Sequence, residues 1–377
     1  MDSTKLGQSL HTSSNADTIG EAIKHTHRKI SHQAPEIVRL AFASYDDVRG
    51  TLKTFAHSTE LGSPLLHYSA PINSQSSLGK SITRQQARVL NDILSTVTSA
   101  SRHSHWLLEQ GYQSSLTQPI FDDGQFLGML FYDATQPHYF DSATREELVA
   151  HSAPLLEVIT HQRRCVNAMT DLGHVVRRTN FEHQDESLDH AYRVGQFAHI
   201  IGTELAQLYQ LDDETLDHIV QFAQLHDIGK YSALGTSSQS LWLEDWGNHL
   251  QLTAQIQHGL NLVNDLARQI HEQQHTCVQL LRDIIQYHHE YLDGSGAPLG
   301  LRHADIPVSA RIVTVANIFD ALTSHRYYSE SWSLTHALLE LEKMVAMGKL
   351  DGNCVQALRA QQDAVRLVMQ SVHVPRV

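Results

Sequence analysis

The stretch QFAQLHDIGKY, Gln221–Tyr231, decides how the second half of this 377-residue chain is read. Apolar residues at Phe222, Ala223 and Leu225 predict a helix, and Gly229 marks its end. The helix delivers His226 and Asp227 side by side, about 100° apart around its axis, so both can face one centre from neighbouring directions. A carboxylate placed there can bridge two cations while the imidazole binds one. On its own a His–Asp dipeptide carries little weight in a chain with 27 histidines. Its meaning depends on its neighbours.

Those neighbours are present. Glu186 and His190 stand four apart upstream and share one helix face. Downstream, His288-His289-Glu290 opens HHEYLDGSGAPLGL (His288–Leu301), in which paired imidazoles precede a glycine-rich turn. His258 lies between the two stretches. Imidazole and carboxylate together suit borderline transition metals such as Fe, Mn or Zn better than Mg or Ca. Hydrolysis is common at such clusters, because two close ions acidify a water, orient a phosphodiester and stabilise the departing oxygen. Val194, Ala198, Ile201 and Leu205 recur at helical spacing, as do Leu216, Ile219, Val220 and Ala223. Strand signals stop near residue 180, so the second half is expected to be all-α.

The first half reads as mixed α/β. Helical character runs over Thr18–Ser31, and strands are expected at Ile37–Ser44 and Thr51–Ser58 around a turn at Asp46–Gly50. Val89, Leu90, Ile93 and Leu94 predict a helix over Gln85–Val97. Asp123-Gly124 between two apolar runs predicts a hairpin within Ser115–Tyr132, since glycine accepts the positive φ of a tight turn. Phe140 and Asp141 lead into helix, and 142–182 reads as one or two connecting helices.

Composition narrows the classes. A formal net charge of −13 argues against a DNA- or RNA-polymer surface, while an anionic small substrate stays compatible if metal ions supply local positive charge. No apolar run approaches the roughly 20 residues of a membrane-spanning helix. Met1–Asp17 is polar and lacks the apolar stretch of a signal peptide, so a cytoplasmic protein without membrane insertion is expected. The three cysteines, Cys165, Cys277 and Cys354, lie far apart, are odd in number and form no CxxC, so neither a disulfide framework nor a thiolate zinc site is expected.

Taken in order, HxxRV (His190–Val194), HDIGK (His226–Lys230), HHExxDGSGxPxGL (His288–Leu301), IPVSARI (Ile306–Ile312) and FDALTSxR (Phe319–Arg326) resemble an HD-GYP domain over about 183–345. The stretches SLTQPIFDDGQFLGMLFYD (115–133) and HYFDSATREEL (138–148), with the elements before them, resemble a GAF domain over about 15–160. The resemblance implies an α+β two-domain chain. A GAF-like α/β sensor or dimerisation domain (15–160, with a connector helix to about 182) would precede an all-α HD-GYP domain of the HD superfamily (183–377).

The HD-GYP resemblance also implies a metal-dependent phosphodiesterase of bacterial second-messenger signalling. Its substrate would be 3′,3′-cyclic GMP-AMP, cyclic di-GMP or both, opened to a linear 5′-phosphorylated dinucleotide. Two or three divalent ions, Fe or Mn, would be held by Glu186, His190, His226, Asp227, His258, His288, His289 and Asn317. Asp227 would bridge them. Lys230 and Arg326 would meet substrate phosphate, and Gly296 and Ala297 would belong to the substrate side. A homodimer through the connector helix and GAF-like domain is expected.

Two departures from the family pattern stand out. Ala297 replaces the signature tyrosine, removing an aromatic ring and a hydroxyl. Asn317 replaces the last metal-binding aspartate, and its amide oxygen binds a hard cation less strongly; Asp320, three residues on, is a candidate compensator. Ser329 also replaces a basic residue, leaving Arg326 with less help. The competing readings are a nucleotidase of the broader HD superfamily and a catalytically degenerate cyclic dinucleotide receptor or scaffold.

Overall fold

The computed structural model describes residues 18–99, 101–178, 184–232, 249–324 and 331–371. Contacts divide the chain into two compact units, Met1–Arg163 and Arg164–Val377.

In the first unit, α1 (Ile19–Gln33) starts at Thr18, whose hydroxyl accepts the Glu21 N–H at 3.1 Å. Its buried stripe of Ile19, Ala22, Ile23 and Ile30 follows the helical repeat. There follow β1 (Ile37–Asp46), β2 (Thr51–Thr59), β3 (Ser69–Pro71), α2 (Ser77–Arg84), β4 (Arg88–Leu90), α3 (Ile93–Thr96), α4 (Arg102–Glu109), β5 (Ser114–Asp122) and β6 (Gln125–Ala134). The strands form one antiparallel sheet in the order β3-β2-β1-β6-β5-β4. The expected β5–β6 hairpin turns on Asp123 and Gly124 at φ 47° and 81°, the left-handed pair that a two-residue hairpin loop requires. One face of the sheet presents Leu40, Leu116, Leu130 and Tyr132 to α1 and to the first half of α5 (Ser142–Arg178), which adds Leu148, Leu155 and Ile159.

The helix expected over Gln85–Val97 does not form. Val89 and Leu90 instead pair with Leu116 and Ser115 as an edge strand, and Asp92 caps the one-turn α3 by accepting the Ser95 N–H at 3.1 Å. Apolar residues at i, i+1, i+4 and i+5 suit a helix face, but over so short a run they suit a strand followed by a turn equally well. Leu94, the last of the four apolar residues of that pattern, is 62 % exposed.

The second unit is helical. The second half of α5, which is one continuous helix, is joined by α6 (Gln184–Tyr209), α7 (Asp213–Ala223), a 3-10 turn (Ile228–Ser232), α8 (His249–Gln269) and α9 (Thr276–Tyr287). A second 3-10 turn (His303–Asp305) precedes α10 (Val308–Thr323), α11 (Leu334–Ala346), α12 (Gly352–Ala360) and α13 (Gln362–Gln370). Val194, Phe197, Phe222, Ile284, Val313, Phe319 and Leu341 build its core. Among the described residues of this unit, β structure is limited to a bridge between Asp293 and Arg302. No helix of the described residues is long and apolar enough to cross a membrane.

His226 and Asp227 do not ride on a helix: α7 stops at Ala223, and the chain tightens through Leu225 N–H to Phe222 O and Ile228 N–H to Leu225 O. The imidazole of His226 takes the Ala223 carbonyl at the end of α7, 2.7 Å from Nδ1, a role helix-terminal side chains often fill. Gly229 then packs its backbone on α8. A Cβ there would overlap Gln255 O and lie 2.7 Å from Gly259 N.

Candidate metal centre

Three segments of the second unit meet around Asp227. α6 brings His190, the turn after α7 brings His226 with Asp227, and the C-terminal end of α9 brings His288 and His289. One ligand atom each of His190, His226 and Asp227 lies within 4.8 Å of the others, and the same holds for Asp227, His288 and His289. The rings of His226 and His288 are 5.0 Å apart, and those of His190 and His226 are 5.4 Å apart. All are buried except His289, whose side chain is 12 % exposed.

Hydrogen bonding fixes what each imidazole offers. His226 Nδ1 lies 2.7 Å from Ala223 O, His288 Nδ1 lies 2.9 Å from Ile284 O, and His190 Nδ1 lies 2.7 Å from Asp320 Oδ2. Each of these partners is an acceptor, so each Nδ1 carries the proton and each Nε2 presents a lone pair. His226 Nε2 and His288 Nε2 are buried without a hydrogen-bond partner, 3.2 Å and 3.5 Å from the carboxylate oxygens of Asp227. Lone pairs facing a carboxylate repel, and orphaned buried polar atoms are costly. A divalent cation between them satisfies both, so the donor set fits a metal.

Electrostatics agree with that assignment. Burial pushes the Asp227 carboxyl up, but the Lys230 ammonium, 2.5 Å from Oδ2, and the neighbouring His226 and His288 rings together outweigh it and hold the group well below the usual carboxylate range. Burial also lowers His288, and together with the neighbouring His288 ring it takes His289 well below the ordinary imidazole range. Both rings are therefore neutral, the form that ligates. A narrow cleft opens on the cluster, lined by His226, Asp227, Lys230, Gln255, His288 and His289.

The other expected site residues fall as follows. Lys230, on the 3-10 turn, is spent in part on Asp227. His258 is half-buried on α8 and joins neither group of ligand atoms around Asp227. Asn317 is half-buried on α10. Ala297 is buried at 2 % exposure, and its N–H bonds His289 O at 3.1 Å. A Cβ on Gly296 would come within 2.6 Å of His289 O and 2.5 Å of Glu290 Cα, so the loop passes backbone on backbone there. The side chain of Glu186 lies outside the described residues, as do Arg326 and Ser329.

Two residues named in the sequence take roles that it did not indicate. Asp320 is bound by His190 and by Arg193, whose Nε donates at 2.6 Å, so it orients a ring instead of replacing Asn317 as a ligand. Glu290, 2 % exposed, accepts the N–H groups of Leu299 (2.6 Å), Gly300 (3.1 Å) and Leu301 (3.0 Å), pinning the glycine-rich loop. The position of Glu290 directly after two ligand-type histidines was a signal available in the sequence.

Comparison with known proteins accords with this architecture. Residues 35–159 match the GAF domain model and residues 204–354 match the HD domain model. Similar curated proteins include the 3′3′-cGAMP-specific phosphodiesterase 2 of Vibrio cholerae, 32 % identical over 34 % of this chain and 23 % of that protein. The cyclic di-GMP phosphodiesterase response regulator RpfG of Xanthomonas campestris is 35 % identical over 45 % of this chain and 43 % of its own length. A cyclic di-GMP phosphodiesterase of Thermotoga maritima is 34 % identical over 45 % and 43 %. The chain thus spans less than half the length of each of these relatives. It carries a GAF domain followed by an HD domain.

Proposed function

We propose that this GAF–HD chain is a metal-dependent phosphodiesterase that opens a cyclic dinucleotide, 3′,3′-cyclic GMP-AMP or cyclic di-GMP, to a linear 5′-phosphorylated dinucleotide. The observation that carries the reading is the set of imidazole lone pairs turned on the Asp227 carboxylate, an arrangement that a cation held between them reconciles. The names of the relatives supply the substrate class.

His190, His226, Asp227, His288 and His289 would hold two divalent ions, Fe or Mn, with the Asn317 amide as a weaker neutral donor and Glu186 or His258 as further ligands. Divalent ions bound by these residues would neutralise phosphoryl oxygens and acidify an attacking water. Asp227 stays ionised under the Lys230 ammonium, so its two oxygens remain available to a shared centre. Lys230, 24 % exposed, stands at the cleft, where its ammonium meets a substrate phosphate as a point charge. Arg326 would add a fork for two phosphate oxygens. Glu290 holds Leu299–Leu301 in a fixed path, so the loop that contains Gly296 and Ala297 keeps its shape when the dinucleotide enters. With alanine at 297, that position offers no aromatic ring for a base to stack on.

Anaerobically purified protein incubated with each cyclic dinucleotide and Fe(II) or Mn(II) tests the reading by mass spectrometry of the products. The linear dinucleotide is expected, and it disappears in His226→Ala. A second reading, a receptor that binds without cutting, is favoured by Asn317, and tight binding with no turnover at any metal loading selects it. We place the protein in the cytoplasm as a homodimer joined through α5 and the GAF domain; light scattering checks the latter.

A further inference from the structure

Along the sequence the cysteines look unrelated, but Cys165 on α5 and Cys277 in the first turn of α9 bring their sulfurs 3.4 Å apart across 112 positions. Both are buried, at 2 % and 1 % exposure, while Cys354 sits on α12. Beside them His275 caps α9, and one ligand atom each of Cys165, His275 and Cys277 lies within 4.8 Å of the others. A metal is one use for such a trio. However, His275 Nδ1 accepts the Cys277 N–H at 3.2 Å, which spends that lone pair and leaves the proton on Nε2. In this state the ring offers nothing to an ion, and the two sulfurs are left facing each other.

We propose that Cys165 and Cys277 are an oxidisable pair that a hydroperoxide converts into a disulfide tying α5 to α9. One sulfur, as thiolate, attacks a peroxide oxygen and becomes a sulfenic acid; the O–O bond breaks, and the leaving oxygen takes up a proton as water. The other sulfur then displaces the sulfenic oxygen, which departs as a second water. Two thiols and one hydrogen peroxide give one disulfide and two waters, the sulfurs losing two electrons and the peroxide gaining them. Closing to a bond of about 2.05 Å needs only a modest swing of two side chains already in contact.

Rate and consequence follow from the surroundings. The contact with Cys165 and then burial hold the Cys277 thiol far above its ordinary range, so thiolate is scarce and oxidation is slow. The bridge would anchor the start of α9, whose other end carries His288 and His289. It would also close a long loop, which restricts the unfolded chain and stabilises the fold.

The test uses the full chain, treated with hydrogen peroxide, alkylated under denaturing conditions and digested without reductant. Expected are a Cys165 peptide joined to a Cys277 peptide, separation by dithiothreitol, an alkylated Cys354 and a raised melting temperature that reverses on reduction. Cys277→Ser should lose both the cross-link and the shift. The proposal is overturned if all three thiols remain alkylatable, if the sulfurs oxidise singly to sulfinic acid, or if Cys354 forms the bridge. It is equally overturned by a zinc ion that is retained in Asp227→Asn but lost in Cys277→Ser, since the trio would then be a metal site.

Discussion

Asp320 Oδ2 on α10 sits 2.7 Å from His190 Nδ1 on α6, and its Oδ1 takes Arg193 Nε at 2.6 Å. Burial works against a carboxylate there, but the His190 hydrogen bond and the Arg193 guanidinium hold the Asp320 carboxyl down to about 2. The ionised group fixes the ring with its proton on Nδ1 and its lone pair turned inward. An aspartate in this position makes the imidazole a better ligand without touching the metal. Asp320→Asn should therefore weaken metal binding by about 10–100-fold while leaving the fold intact. Competition against a chromophoric chelator reads this directly; unchanged affinity would remove Asp320 from the account.

Glu290 gives a different kind of prediction. Its carboxylate is the shared acceptor of three loop N–H groups in a buried place, so Glu290→Ala orphans them together. The expected loss is roughly 2–5 kcal/mol of stability, seen as a lower midpoint in urea unfolding. Glu290→Gln keeps one acceptor oxygen and should fall between the two.

Two glycines separate a close approach from simple backbone freedom. Gly124→Ala meets nothing within 4 Å, and only its φ of 81° is penalised, so a cost of about 1 kcal/mol with activity retained is expected. Gly296→Ala puts a methyl group against the backbone of His289, Glu290 and Tyr291, none of which can swing away. At least a tenfold loss of turnover should follow, because the same segment carries His289. Equal effects from the two substitutions would contradict the packing argument.

Metal removal should be felt as lost stability. An ion present at a hundredfold excess over its dissociation constant contributes about 2.7 kcal/mol to the folded state. Chelation should accordingly lower the thermal midpoint of the wild-type chain, and Asp227→Asn should melt at nearly the same temperature with or without chelator. Differential scanning calorimetry decides it; a variant that still responds would place the metal elsewhere.

The sequence exposed those parts of the molecule whose chemistry is carried by neighbours along the chain. The Asp123-Gly124 hairpin, the helical second half and the pairs His226-Asp227 and His288-His289 are local patterns, and local patterns survive translation into structure. Where the reading failed, the deciding partner was remote. Val89 and Leu90 became a strand because β5 offered an open edge. His226 left its helix because the end of α7 presented the Ala223 carbonyl to its ring. The partnership of Asp320 with His190 spans 130 positions, and that of Cys165 with Cys277 spans 112. No periodicity within one sequence records such pairings.

The most direct measurement compares wild type with Asp227→Asn, purified anaerobically and assayed for bound metal and for opening of 3′,3′-cyclic GMP-AMP and cyclic di-GMP in the same preparations. The account predicts bound transition metal and a linear dinucleotide from the wild type, with both absent from the variant. A variant that keeps its metal and its turnover, or a metal-loaded wild type that opens neither substrate, would contradict it.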